Sequence, residues 1–329
     1  MPLSSRRHGS PWTGLGTVIA KEAADHLGSV RMIVIEVLVS LTALGTAFFA
    51  IRTIRETIGE SPFLFLRLLT MSPPIGQDSD TTLPSFIALL GFLIPLVAIG
   101  LAFDMVNGEF NRRTLSRILA QPIYRDALLL GKFLAGLLAL TIGLISLWLL
   151  LLGLGLLLLG LPPSTEEMVR MIGFLIATIA YGGVWLALAL LFSVLFRSPA
   201  TAVLIALGTW LVFALFWSSI ISDILASLIS GPPEGVLGPR LAYLNTQQII
   251  DRLSPNTLYA EIALALLQPA TRALGPVLMS QLQGALLGAP LPVTQSFVLI
   301  WPQLTGLLAG TIAIFAIAYI FFQRQEIRA

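Results

Sequence analysis

Few residues of this chain could do chemistry. There is no cysteine, and the only two histidines, His8 and His26, precede the first long apolar run. Disulfides, thiolate nucleophiles and cysteine-ligated metals are therefore excluded, and no imidazole is available within the apolar regions as base or ligand. Neither G-x-S-x-G nor H-E-x-x-H occurs, which removes the serine and zinc routes to intramembrane proteolysis. Gly131-Lys132 is followed by Phe133 and preceded by leucines, so it is no phosphate-cradling G-x-x-x-x-G-K-[ST] loop.

The densest cluster of charges lies at 103–136, FDMVNGEFNRRTLSRILAQPIYRDALLLGKFLAG. A helix predicted over 104–120 places Asp104, Glu109, Arg112, Arg113 and Arg117 on polar faces, with Leu115, Ile118 and Leu119 opposite. Pro122 ends it, and a second helix starts near Arg125-Asp126. Such a charged helix-turn-helix at a bilayer surface suits docking onto a cytoplasmic partner; plain charge anchoring at the interface is the alternative. Within the apolar runs the notable charge is Glu36, where a central position would cost about 2.5–3.5 kcal/mol. It is expected to reach the interface toward Arg31, the alternative being a substrate or proton role. Asp104 and Asp223, at the ends of runs, are expected to be solvated.

The elements that position these groups follow from composition. The 329 residues are 56% hydrophobic and 11% charged, and mean hydropathy is +0.91. A soluble domain carries roughly 25% charged residues, so the surplus apolar surface must face lipid. About 20 apolar helical residues cross the roughly 30 Å hydrocarbon layer, and six stretches qualify, near 32–51, 84–103, 133–159, 171–195, 200–222 and 297–322. The expectation is an all-α, polytopic integral membrane protein, with a membrane domain over 32–322. The leucine run at 147–159 is expected to face lipid. Placing residues 1–31, the 104–132 loop, the 196–199 turn and the 323–329 tail in the cytoplasm puts 12 of 19 basic residues there. That bias predicts both termini inside. With a net charge of only +2, the scattered arginines read as topology signals, and no nucleic-acid partner is expected.

Residues 14–31 read as an amphipathic helix on the inner membrane face, its lysine and arginine meeting lipid headgroups. The outer loop at 223–296 is too long to be structureless. Ser254-Pro255 should open a helix over 255–267 with serine as cap, and a second apolar stretch covers 270–288. Both are expected to lie against the outer surface, as is the Phe63–Leu69 stretch of the 53–83 loop. Gly306 and Gly310 form a GxxxG pattern that permits close helix packing, with Gly182, Gly183, Gly153 and Gly155 as further candidates. Thr201, Thr209, Ser218 and Ser219 are candidates for a lightly polar translocation wall, which favours an amphipathic or lipid-like cargo.

The 103–136 stretch resembles the signature loop of type-2 permease subunits of ATP-binding-cassette (ABC) transporters: an acidic residue, Gly-Thr-Leu, Pro-Ile-x-Arg and Gly-Lys. Glu109, Thr114-Leu115, Pro122-Ile123, Arg125 and Gly131-Lys132 match in order. Arg113 stands where the family usually has glycine. Lys21-Glu22, Leu253-Ser254-Pro255 and the closing Phe321–Arg328 segment extend the likeness along the chain. The resemblance implies a permease subunit, itself without bound cofactor, that pairs with a second permease copy as homo- or heterodimer in the membrane lipid of a prokaryotic cell. It further implies a separate ABC ATPase subunit carrying Mg-ATP, a cytoplasmic coupling helix contacting it through Glu109, Arg112, Arg113, Leu115 and Arg117, and export as the direction. An ion-coupled secondary transporter and a non-transporting assembly or sensor subunit are the competing readings.

Overall fold

The structure, a computed structural model, describes residues 14–56, 63–72, 84–114, 124–232, 237–269, 274 and 290–324. Among these there are helices and no strand. In hydrocarbon every backbone N–H and C=O must be satisfied within its own segment, and helices do this. Helix α1 (Leu15–Leu27) is followed by α2 (Val30–Glu56), α3 (Leu64–Thr70), α4 (Phe86–Ala102) and the short α5 (Asn107–Asn111). Then come α6 (Arg125–Leu159), α7 (Thr165–Leu195) and α8 (Pro199–Leu211), the last continued by a π-helical stretch Val212–Ile221 into α9 (Ser222–Ser230). Helices α10 (Leu237–Asp251), α11 (Pro255–Leu267) and α12 (Val293–Arg324) complete the chain. Among the described residues, six helical segments are long and apolar enough to cross a membrane: 30–55, 86–111, 125–159, 165–195, 199–230 and 293–324.

The local sequence explains the boundaries. Helix α6 stops at Gly160, whose φ of 74° is readily adopted only by glycine, and Pro162-Pro163 follows. Ser164 then opens α7 through a capping box with Glu167. Glu167 also accepts from the Phe65 backbone N–H at 2.8 Å, so one buried carboxylate serves the N-termini of both α7 and α3. Ser198 caps α8, with Pro199 at its first position.

Helix α7 is the axis of the bundle: 72% of an apolar 18-residue stretch of it is buried, against 11% in each of the fifth and sixth spans. Small residues let its neighbours close in. A Cβ on Gly182 would lie 2.4 Å from Leu140 of α6, and one on Gly173 would lie 2.7 Å from Phe297 of α12. The GxxxG pair is split, because a Cβ on Gly306 would meet Leu258 of α11 at 3.1 Å whereas Gly310 faces open space. Gly155 meets Phe65 of α3 closely, and Gly153 meets nothing. The leucine run is accordingly two-faced, with Leu147, Leu151 and Leu152 buried and Leu149 and Leu157 exposed.

Two of the segments expected on the outer surface, 64–70 and 255–267, pack against protein on one side. Helix α3 buries Phe65, Leu66, Leu68 and Leu69, and α11 buries Leu258, Tyr259, Ile262, Ala263, Leu266 and Leu267. Ser254 stands at the N-terminal cap position of α11, but its hydroxyl is buried and makes no capping bond. Arg170, fully buried on α7, holds this upper end together. Its guanidinium donates to Glu166 at 2.9 Å, to the Leu266 carbonyl at the C-terminus of α11 at 3.1 Å, to Ser296 of α12 at 3.0 Å, and to the Leu291 carbonyl. Beside it, Arg252 of the α10–α11 turn and Gln303 of α12 converge on Glu261. Asp223 is exposed, as expected at the end of a run, and also accepts from the Tyr243 hydroxyl within the α9–α10 hairpin. The 270–288 stretch, apart from Leu274, and the 325–329 tail lie outside the described residues.

Candidate functional site

At the lower end of the bundle, where α1, α5, the start of α6 and the ends of α7 and α12 meet, the Gly131-Lys132 pair organises an ionic node. A Cβ on Gly131 would lie 2.6 Å from the Val18 side chain, so glycine is what lets α1 lie directly on α6. One residue on, Lys132 is only 3% exposed, and its ammonium stands 3.0 Å from Glu22 of α1 and 2.7 Å from Glu109 of α5. The second Glu22 oxygen accepts from Lys21 at 2.9 Å, and Lys21 also pairs with Asp25 at 3.1 Å. A buried ammonium is tolerable only with such partners. Three carboxylates and two ammonium groups thus form one network that ties together α1, α5 and α6.

Burial pushes the Glu22 carboxyl up, but the Lys132 ammonium beside it and the bonds from Lys21 and Lys132 outweigh this and hold it below its ordinary value of 4.5. Burial pushes His26, four residues on, below 6.5; Glu22 and Asp104 oppose this, while Lys132 and Arg31 add to it. Its Nε2 finds no partner among the described residues. Both groups then favour their deprotonated forms in the folded state, so both contributions are complete above the ordinary values and fall away in acid. Helix α1 should loosen from α6 first as pH drops below 6.5 and further below 4.5. A spin label on Gly16→Cys, in an otherwise cysteine-free chain, should gain mobility over that range; equal mobility at pH 7 and pH 4 contradicts it.

Helix α5 is clamped on its other side by the end of α7. The Ser193 hydroxyl accepts from the Val106 N–H at 3.0 Å and from the Asn107 N–H at 3.3 Å. Asn107 and Asn111 donate to the carbonyls of Phe196 and Arg197, and the Arg197 guanidinium lies 5.3 Å above the Phe110 ring. Up to Thr114 the loop is thus a five-residue helix followed by a turn, which interrupts the continuous helix expected over 104–120; 115–123 lie outside the described residues. The cause is Arg113, whose φ of 54° puts it in the left-handed region. Its position is the one where the resembled family carries glycine. A left-handed non-glycine residue costs roughly 1–2 kcal/mol, so Arg113→Gly should raise stability toward unfolding by about 1 kcal/mol. An equal or lower midpoint in a denaturation series contradicts this.

Of the expected contact residues, Arg112 and Arg113 are exposed on this turn, whereas Glu109 points inward to Lys132. Leu115 and Arg117 lie outside the described residues. Arg31 does not reach Glu36. It forms a two-pronged bond with Asp104, both contacts at 3.0 Å, and also donates to the Gly100 carbonyl. The reason is geometric: Arg31 sits in the first turn of α2 opposite the end of α4, and Glu36 is more than one turn further along. Glu36 instead accepts from Ser146 of α6 at 2.7 Å, where Gly143 leaves room. Asp126 at the start of α6 accepts from Tyr319 and Gln323 of α12. Among the described residues no group of three His, Asp or Glu side chains could hold a metal ion.

Spacing alone does not find the Glu22–Lys132–Glu109 node. The available signal is Lys132 itself, a lone cation at the edge of a long apolar run, which demands counter-ions.

The sequence profile of ABC-2 family transporter proteins matches residues 16–327. A protein of Pseudomonas aeruginosa bearing the name "Probable ABC transporter permease protein NosY" is 31% identical over 318 residues, covering 94% of this chain and 98% of that one. A protein of the same name from Stutzerimonas stutzeri is 29% identical over 241 residues, covering 72% of this chain and 82% of that one. With Glu22 and Glu109 gathered on the buried Lys132 and six membrane-length helices among the described residues, the chain belongs to the ABC-2 family of transporter proteins as a permease-type membrane subunit.

Proposed function

We propose that this permease couples to a separate ABC ATPase subunit through the 104–132 loop and moves its cargo outward from the cytoplasm. On this reading both termini are cytoplasmic and α1 lies along the inner face of a prokaryotic cell membrane. A second permease copy or lipid covers the apolar faces of the fifth and sixth spans, and Mg-ATP is held by the ATPase. The observation that carries the reading is Lys132, whose single ammonium joins the loop, α1 and the third span. A push on the exposed turn at Arg112-Arg113 cannot move α5 alone. The buried salt bridge would carry the displacement into α6, and the Ser193 and Asn107 bonds would carry it into α7.

Reversing the charge of the turn tests the contact. Arg112→Glu with Arg113→Glu should abolish ATP-dependent turnover and weaken ATPase binding by about tenfold or more, equivalent to about 1.4 kcal/mol, while the detergent-purified chain stays monodisperse. Undiminished ATPase binding by this variant overturns the assignment of the loop.

A further inference from the structure

A cavity of about 250 Å³, open on one side, lies between α4, α7, the fifth span and α11. Its walls include Gly91 and Phe92 of α4, Tyr181 of α7, Trp210 of α8, and Asn256 and Tyr259 of α11. The aromatic groups are fixed by one another: the Tyr181 and Tyr259 rings stack with centroids 4.4 Å apart, and Phe92 meets Trp210 edge-on at 4.9 Å. No ionisable carboxylate, lysine or arginine lines the space.

The hydrogen bonding around it is incomplete. The Tyr181 hydroxyl lies 2.9 Å from the Gly91 carbonyl and 2.7 Å from Asn256 Oδ1, but it has one proton to give and can serve only one of them. Trp210 is 4% exposed, and its indole N–H finds no acceptor among the described residues. A buried donor left without a partner costs about 1–3 kcal/mol, so this site gains by receiving a molecule that supplies one. Exposed Ala88 and Ala214 stand at its rim, which opens the cavity sideways between α4 and the fifth span.

We infer that this cavity is a binding site for one end of an uncharged amphiphile, an aliphatic chain carrying a hydroxyl or ester group. The polar group would complete the bonding of Trp210 and of the Tyr181–Asn256 pair, and the chain would pack on the rings. An apolar cavity of about 150 Å³ already holds a benzene ring, so this one takes a short chain segment and not an entire lipid. The uncharged lining offers no counter-charge to an ion. Bilayer lipid and a free amphiphile offer the same chemistry.

The test uses the whole chain in lipid nanodiscs with two photoreactive probes: decanol bearing a diazirine, added freely, and phosphatidylcholine bearing a diazirine on one acyl chain, built into the disc. Cross-links mapped by mass spectrometry should fall on residues 86–92 and 255–260. Filling the rim with Ala214→Phe, or separately Ala88→Phe, should reduce them about tenfold while labelling at lipid-facing Leu204 stays constant. Capture of the phosphatidylcholine probe identifies bilayer lipid as the source; capture of decanol, displaced by unlabelled decanol, identifies a free amphiphile, and either result supports the site. Cavity labelling no stronger than at Leu204, or unchanged in whichever filled variants remain monodisperse, overturns it. No ATPase is present in the measurement, so its failure would leave the coupling proposal standing.

Discussion

Arg170→Met should lower the unfolding free energy of the chain by roughly 3–5 kcal/mol, the usual consequence of removing one partner from a buried charged network. The arginine is fully buried, and its loss strands the C-terminal carbonyl of α11, the Leu291 carbonyl and the Ser296 hydroxyl in a site closed to water. Those acceptors belong to three different stretches of chain, so methionine, though it fills space, has nothing to offer them. Glu166→Gln supplies the contrast. That carboxylate is 36% exposed and glutamine still accepts from the guanidinium, but the exchange takes the counter-charge from a fully buried arginine, so it should cost an intermediate amount, roughly 1–3 kcal/mol. Unfolding by SDS titration in mixed micelles measures both variants. A cost for Arg170→Met no larger than that for Glu166→Gln would mean that the upper end is held by apolar packing alone.

Lys132→Met has the second large expected effect, and it separates stability from coupling. Without the ammonium, Glu22 and Glu109 face each other with the cation between them gone, and the structure should lose roughly 3 kcal/mol or more. Adding Glu22→Gln and Glu109→Gln removes the repulsion, and replacing a buried ionic group by neutral packing is often close to neutral in stability. The triple variant should therefore regain most of the lost stability. If the node transmits force, that variant should still bind the ATPase and hydrolyse ATP while cargo movement stays low. Recovery of both stability and coupled movement would assign the node a purely structural role.

Much of the fold was legible in the sequence because lipid imposes a length and a polarity that few residues can violate. The six spans follow from that rule, and Ser254-Pro255 and Leu161-Pro-Pro-Ser mark real helix boundaries. What escaped the sequence was inward packing. Phe65 and Tyr259 look like interfacial residues in a one-dimensional pattern, yet Gly155 and the face of α7 give them protein partners. Charged partners were equally hidden. Arg31 has Glu36 five residues away and Asp104 seventy-three residues away, and helix geometry selects the distant one. At the site, the signature residues were visible as types and spacings, but their common purpose was not. Glu22, Glu109 and Lys132 converge only once Gly131 lets α1 settle on α6. Arg113 is the reverse case: a departure from the family pattern in sequence that keeps, at some strain, the backbone shape glycine would adopt.

The most direct measurement is purification of the intact chain from its own host membrane in a gentle detergent, with identification and counting of whatever remains bound. An ATP-hydrolysing subunit should be recovered in about a 1:1 ratio with the chain, as a permease dimer over two ATPase subunits requires, and should be lost when Arg112 and Arg113 are reversed in charge. Recovery of the chain alone, with solute movement that follows a proton gradient and stops in Glu36→Gln, would contradict the proposal and move the energy source into the membrane.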